Sequence, residues 1–125
     1  MKYGYIRPVT INDNLNKQKK KLEYYSNEIF EEKHANNKKR NELHLLLYNK
    51  LTSGDTLYIT DLCILADSTK HLVDLLDYLS QEDISLYVIN LNRYIYKNIQ
   101  GDFLEILHDI VDFQSDIVKF RTRMG

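Results

Sequence analysis

Apolar positions along this chain switch repeatedly between a spacing of two and a spacing of three or four. Lys2 to Ile6 is short and β-prone, and Pro8 ends it as a strand, because proline cannot donate to a ladder. Ile11, Leu15, Leu22 and Tyr25 then mark one side of a helix, with Lys17, Lys19, Lys20 and Lys21 facing elsewhere. Thr10 is placed to cap that helix, with Asp13 three residues on as a weaker form of the capping box. Leu43, Leu46, Leu47 and Leu51 predict a second helix, stopped near Gly54. Leu57-Tyr58-Ile59 reads as a strand. Ser68 or Thr69 caps a third helix that turns Leu72, Val73, Leu75, Leu76 and Leu79 inward, and Ile84 to Leu91 reads as a buried strand. Such alternation implies a largely parallel sheet with helices on both faces.

The last segment has a different pattern. Phe103, Ile106, Ile110, Phe113, Ile117, Phe120 and Met124 follow a strict three-four spacing, and Leu104, Leu107, Val111 and Val118 widen the stripe beyond one sheet-facing side. Asp102, Glu105, Asp109, Asp112 and Asp116 lie on its outer side and toward its N-terminal part, where the helix dipole favours them. Lys119, Arg121 and Arg123 collect at its C-terminal end. The pattern fits either an ordinary core helix or a self-association helix.

Composition narrows the class. The 125 residues are enough for one domain with a core, and a net charge of -1 gives no global signature of nucleic-acid binding. With 43% apolar and 28% charged residues the chain is expected to be soluble and globular. No window approaches the run of ~18 apolar residues that suggests a membrane span, and the N-terminus is not a signal peptide. A lone cysteine excludes an internal disulfide and fits a reducing, cytoplasmic setting. Abundant Asn, Lys, Ile and Tyr match AT-rich bacterial genomes and their mobile elements.

Tyr3-Gly4-Tyr5-Ile6-Arg7-Pro8-Val9-Thr10 resembles the opening of the resolvase and invertase family of serine recombinases, where the first strand runs into a segment close to Gly-Tyr-Ala-Arg-Val-Ser-Thr. Gly4, Tyr5, Arg7, Thr10, Leu15 and Gln18 keep that pattern, and the serine column falls on Val9. Ile29 to Lys33 resembles the family's second strand with its acidic residue, here Glu32, and a polar loop leads to Lys39-Arg40 and a helix from Asn41 to Leu51. Ser53 to Ile59 resembles the Gly-Asp turn and third strand. Leu62 to Thr69 takes the place of the Leu-Asp-Arg-Leu-Gly-Arg-Asp-Thr signature, and Ile106 to Gly125 that of the long C-terminal helix.

The resemblance implies an α/β, three-layer resolvase-like fold: a mostly parallel central sheet flanked by helices, with residues 1–100 as its body and 101–125 as a long oligomerisation helix of the same domain. It also implies a reaction in which a serine attacks a DNA phosphate, and the departures fall on that reaction. Val9 cannot be a nucleophile. The signature's two arginines, which help hold the phosphate, read Ile64 and Asp67; its first aspartate reads Cys63. Arg7, Gln18, Glu32 and Arg40 survive, so these positions are expected to form a vestigial site without the cations that phosphoryl transfer needs.

Arg7 and Arg40 are read either as an anion site at the strand ends or, preferably, as salt-bridge partners of Glu32 or Asp67. Cys63 is read as a buried structural cysteine rather than a thiol nucleophile. His34, His44, His71 and His108 lack ligand spacing, so no metal and no cofactor is expected. The basic runs Lys17 to Lys21 and Lys33 to Arg40 are read as solvated faces. The expected function is a catalytically inactive recombinase-like domain acting in self-association and regulation of DNA transactions of a mobile element. Its expected partners are itself, through the stripe from Phe103 to Met124, weakly DNA, through Lys119, Arg121 and Arg123, and another protein; no membrane contact is expected. One alternative is a rebuilt recombinase with Thr10 as nucleophile. Another is a receiver-like signalling domain with Asp61 after the third strand, although Arg7-Pro8 stands where receivers need an acidic pair.

Overall fold

A computed structural model of the chain describes residues 1–8, 15–32, 40–95, 108–112 and 114–116. Five strands form one sheet: β1 (Lys2–Ile6), β2 (Glu28–Glu31), β3 (Thr56–Ile59), β4 (Ser85–Val88) and β5 (Arg93–Ile95). Their order is β2-β1-β3-β4-β5, and the first four are mutually parallel while β5 runs antiparallel to β4. Among the described residues before position 96, four α-helices accompany them: α1 (Leu15–Tyr25), α2 (Asn41–Leu45), α3 (Leu62–Leu65) and α4 (Thr69–Gln81). The fold is therefore α/β with a mostly parallel sheet, as expected.

Strand alternation divides the core in two. Tyr3, Tyr5, Leu57, Ile59, Leu86 and Val88 point to one face, where they pack with Leu43, Leu46, Leu76 and Leu79 from the α2 and α4 segments. Ile6, Tyr58 and Tyr87 point to the other and pack with Leu22 of α1. On that second face the rings of Tyr25, Tyr58, Tyr87 and Tyr94 stack or tilt against one another, with centroids as close as 4.5 Å.

Two elements depart from the sequence reading. The helix expected from Asn41 to Leu51 keeps α geometry only to Leu45; a wider π turn, Leu46–Lys50, finishes it, and Leu51 is extended. The strand expected over Ile84 to Leu91 stops at Val88. A 3₁₀ turn, Ile89–Leu91, follows, and Asn92 adopts the left-handed conformation with φ 49°. Asparagine tolerates that conformation, and its side chain accepts a 2.6 Å bond from the Tyr87 hydroxyl, which reverses the chain into β5. Apolar content alone could not separate the strand from the turn that ends it. Ser68 caps α4, accepting from the His71 backbone N–H at 3.1 Å.

Residues 108–112 and 114–116 are helical. Val111 packs against the larger core cluster, and His108 Nε2 lies 3.4 Å from the Asp77 carboxylate of α4. Ile110 is 40% exposed. Phe103, Ile106, Phe113, Ile117, Phe120 and Met124, with Lys119, Arg121 and Arg123, lie outside the described residues. No helix among the described residues is long and apolar enough to cross a membrane.

Gly4 sets how closely α1 approaches the sheet. A Cβ there would stand 2.9 Å from Ser26 Oγ, 3.3 Å from Ile29 and 3.4 Å from Leu22. Ser26 cannot simply swing away, because its hydroxyl donates to the Leu22 carbonyl at 2.7 Å. Gly4→Val should therefore overpack this contact and lower stability by about 1–3 kcal/mol in equilibrium urea unfolding. An unchanged midpoint would mean that α1 lifts from the sheet without resistance.

Candidate active site

The carboxyl edge of the parallel strands gathers the polar residues of the interior. Directly after β1, Arg7 is 2% exposed. Its backbone N–H donates to Gln18 Oε1 at 3.2 Å, and Gln18 Nε2 donates back to the Arg7 carbonyl at 3.0 Å, so one buried amide clasps α1 to the strand end. The Arg7 guanidinium turns toward α3. Nε donates to the Ile64 carbonyl at 3.0 Å, and Nη2 donates to the Cys63 carbonyl and to Asp67 Oδ1, both at 2.7 Å.

Arg40, 5% exposed at the start of α2, approaches the same turn from the other side. Its Nη1 donates to the Leu65 carbonyl, and its Nη2 to the Ile64 carbonyl at 2.6 Å. A helix of four residues leaves its last carbonyls without internal partners, and its C-terminal end favours cations. Arg7 and Arg40 meet both needs.

Tyr5 links this lock to α2. Its hydroxyl accepts from Arg40 Nε and Nη2 at 3.3 and 3.2 Å and donates to Glu32 Oε2 at 2.7 Å. Glu32 in turn accepts the backbone N–H groups of Glu42 and Leu43 at 3.1 and 3.2 Å. A carboxylate at the end of β2 thus caps the first turn of α2, where the dipole favours negative charge. Burial, and then the bond to Glu32, push the Tyr5 phenol well above its ordinary range. His71 is shifted the opposite way, below the usual histidine range, first by burial and then by the Arg40 charge.

Arg7, Gln18, Glu32, Arg40, Ile64 and Asp67 lie in one hydrogen-bonded network, with Tyr5 as its link. Arg7 pairs with Asp67, one of the two partners expected for it. Arg40 reaches neither Glu32 nor Asp67 directly; it meets Glu32 through Tyr5, whose bridging role the sequence reading missed. Tyrosine next to a strand end gives no such signal until its depth is known. Cys63 corrects an expectation: it is exposed, because the single turn of α3 faces Ile64 and Leu65 inward and leaves Cys63 outward. Val9 and Thr10 lie outside the described residues. No cluster among the described residues has the makeup of a metal site.

Removing the Tyr5 hydroxyl should leave a buried carboxylate and a buried guanidinium each short of a partner. Tyr5→Phe should lower stability by about 1–3 kcal/mol in urea unfolding. The pH dependence has a defined sign. A phenol whose folded pKa is raised contributes stability that is intact below the unfolded value, about 10, and is lost as pH rises past it. Tyr5→Phe should therefore lose stability less steeply above that pH than the native chain. An identical alkaline slope would remove Tyr5 from the linkage.

With this geometry in view, the relatives fall into place. The family described as Resolvase, N terminal domain, matches residues 2–125. The transposon Tn917 resolvase of Enterococcus faecalis is 28% identical over 126 residues, covering 100% of this chain and 68% of that protein. A resolvase family site-specific recombinase from Streptococcus pneumoniae superposes with a TM-score of 0.78 at 12% identity, over 99% of this chain and 93% of its own. The N-terminal catalytic domain of TP901-1 integrase superposes with a TM-score of 0.72 at 18% identity, over 94% and 98%. At such identities the two structures speak for the fold, whereas the family match runs almost end to end. The chain belongs to the resolvase N-terminal domain family of serine recombinases.

Proposed function

We propose that this chain is a catalytically silent serine-recombinase domain, acting through self-association in the regulation of DNA transactions, in the setting of a mobile element. The observation that carries the reading is the arginine lock. Arg7 and Arg40, the cations left from the family pattern, direct guanidinium donors at the carbonyls of Cys63, Ile64 and Leu65. Asp67, in a column that the resemblance gives to an arginine, adds a carboxylate 2.7 Å from Arg7. The formal charges of Arg7, Arg40, Glu32 and Asp67 cancel, whereas phosphoryl transfer needs an excess of positive charge around the phosphate. Val9, in the serine column, has no nucleophilic atom.

Self-association is assigned to residues 101–125. What supports it is the pair Val111 and Ile110: one packs on the domain body while the next residue stands exposed on the same helix. The helical stretch is seated on the domain body through Val111, and the exposed Ile110 beside it is an apolar position open to a second copy.

Two experiments test the reading. Incubated with supercoiled and nicked DNA of several sequences, the chain should give no covalent protein–DNA species on a denaturing gel. Val9→Ser alone should not restore one, because the arginines would remain locked. A covalent band that disappears in Thr10→Ala would overturn the silent reading and favour a rebuilt nucleophile.

In sedimentation, the native chain should form a dimer or larger species. Ile110→Asp should sediment as a monomer with an unchanged circular dichroism spectrum, since it places an unpaired charge in the interface at a cost of several kcal/mol. A native chain that stays monomeric at high micromolar concentration would end the self-association assignment.

A further inference from the structure

The charges of this chain nearly cancel in sum, with a net charge of -1, but they are unevenly spread. On α1, Lys17, Lys19, Lys20 and Lys21 are all exposed, and Glu23 is the one acidic residue of the helix. Gln18 and Leu22 are its buried positions, so Lys17, Lys20 and Tyr24, spaced by three and four, form its solvent side. Tyr24 is 86% exposed and ends the stripe, its ring set edge-on against Tyr25 with centroids 5.0 Å apart. Lys21 Nζ donates to the Asn90 side chain at 2.9 Å. No ion pair among the described residues engages any of these lysines.

The helical residues 108–112 and 114–116 carry the opposite sign. Asp109, Asp112 and Asp116 are exposed there, spaced by three and four, and no lysine or arginine lies among those residues. Ion pairs among the described residues do not engage these aspartates either. Ile110 is turned by about 100° from Asp109, so the exposed apolar position and the acidic stripe are different sides of the helix. Val111 packs on the core cluster of the α2 and α4 face, whereas Leu22 of α1 belongs to the other cluster. The lysine stripe and the aspartate stripe therefore stand on opposite faces of the sheet, with the domain between them. Within one copy they cannot meet.

We infer that the lysine side of α1 docks the aspartate side of the C-terminal stretch of a second copy, in a head-to-tail contact. Charge complementarity selects this occupant: both stripes span seven residues of helix, about 10 Å, and their signs are opposite. The two contacting surfaces differ, so the contact is heterologous. Each copy keeps one lysine side and one aspartate side free, and the assembly grows as a row or a ring instead of closing as a pair. Exposed ion pairs are individually weak and screened by salt, so this contact sets orientation more than it gives tight affinity. Tyr24 adds an aromatic side chain of the kind that interfaces bury. This contact is separate from the apolar one proposed at Ile110 and does not depend on it.

Sedimentation velocity of the whole chain, freed of nucleic acid with nuclease, tests the contact. Lowering salt from about 0.15 M to about 0.01 M lengthens the screening distance from about 8 Å to about 30 Å. The native chain should then form species larger than those at the higher salt, and these should revert when salt is restored. Lys17→Glu with Lys20→Glu should abolish that growth, and so should Asp112→Lys with Asp116→Lys. Circular dichroism should stay unchanged in both, since all four positions are exposed. Combined in one chain, the four reversals leave the net charge as in the native chain and should restore the growth. Ile110→Asp should keep it, so loss of the apolar contact and loss of this one are read separately. A native chain unchanged at low salt would overturn the contact. Growth that survives either double reversal, that the combined variant fails to restore, or that Ile110→Asp removes would do the same. Growth seen only before nuclease treatment would assign the lysine side to nucleic acid and end the second-copy assignment.

Discussion

Two buried guanidinium groups on the carbonyl end of one helical turn hold the functional edge of this domain together. Buried charges are tolerated only when their donors are met, and here backbone oxygens meet most of them. The consequence reaches across the fold. Arg7 ties β1 to α3, and Arg40 ties the start of α2 to the same turn. Tyr5 and Glu32 extend the network to β2 and to the first backbone N–H groups of α2. Four elements therefore depend on one polar cluster, and apolar packing on either side of the sheet proceeds around it.

Much of the fold was legible because periodicity reports burial directly. Leu72, Val73, Leu75, Leu76 and Leu79 give a helix that α4 reproduces, including its Ser68 cap. Lys2 to Ile6 and Leu57 to Ile59 fall within observed strands. The errors share a cause. The π turn after Leu45 and the 3₁₀ turn after Val88 keep apolar residues at nearly helical or strand-like spacing while changing the backbone path. Pattern reading counts which residues are apolar, not how the chain turns between them. β5 was missed because its three residues carry no period of their own and depend on the left-handed Asn92.

The resemblance, not periodicity, singled out Arg7, Gln18, Glu32, Arg40, Ile64 and Asp67, and these residues share one hydrogen-bonded edge of the sheet. What sequence could not supply was direction. That Ile64 contributes its carbonyl rather than its side chain, accepting from both arginines, is invisible to any comparison of residue types. Backbone acceptors are present at every position and therefore leave no mark in a sequence. The exposure of Cys63 escaped for a related reason: within one turn of helix, neighbours on either side of the chain face opposite ways, and a four-residue element is too short to show a period.

The lock also bears on how a silent site would persist under the proposed reading. An arginine returned to position 67 would meet the Arg7 guanidinium where a carboxylate now sits 2.7 Å away, so a favourable contact would become a repulsive one. An arginine returned to position 64 would replace a side chain that is buried in the core, and its charge would require partners in an apolar setting. Freeing Arg7 or Arg40 would in turn leave α3 carbonyls unsatisfied. Each single step back toward a phosphate clamp is therefore opposed by the folded state itself.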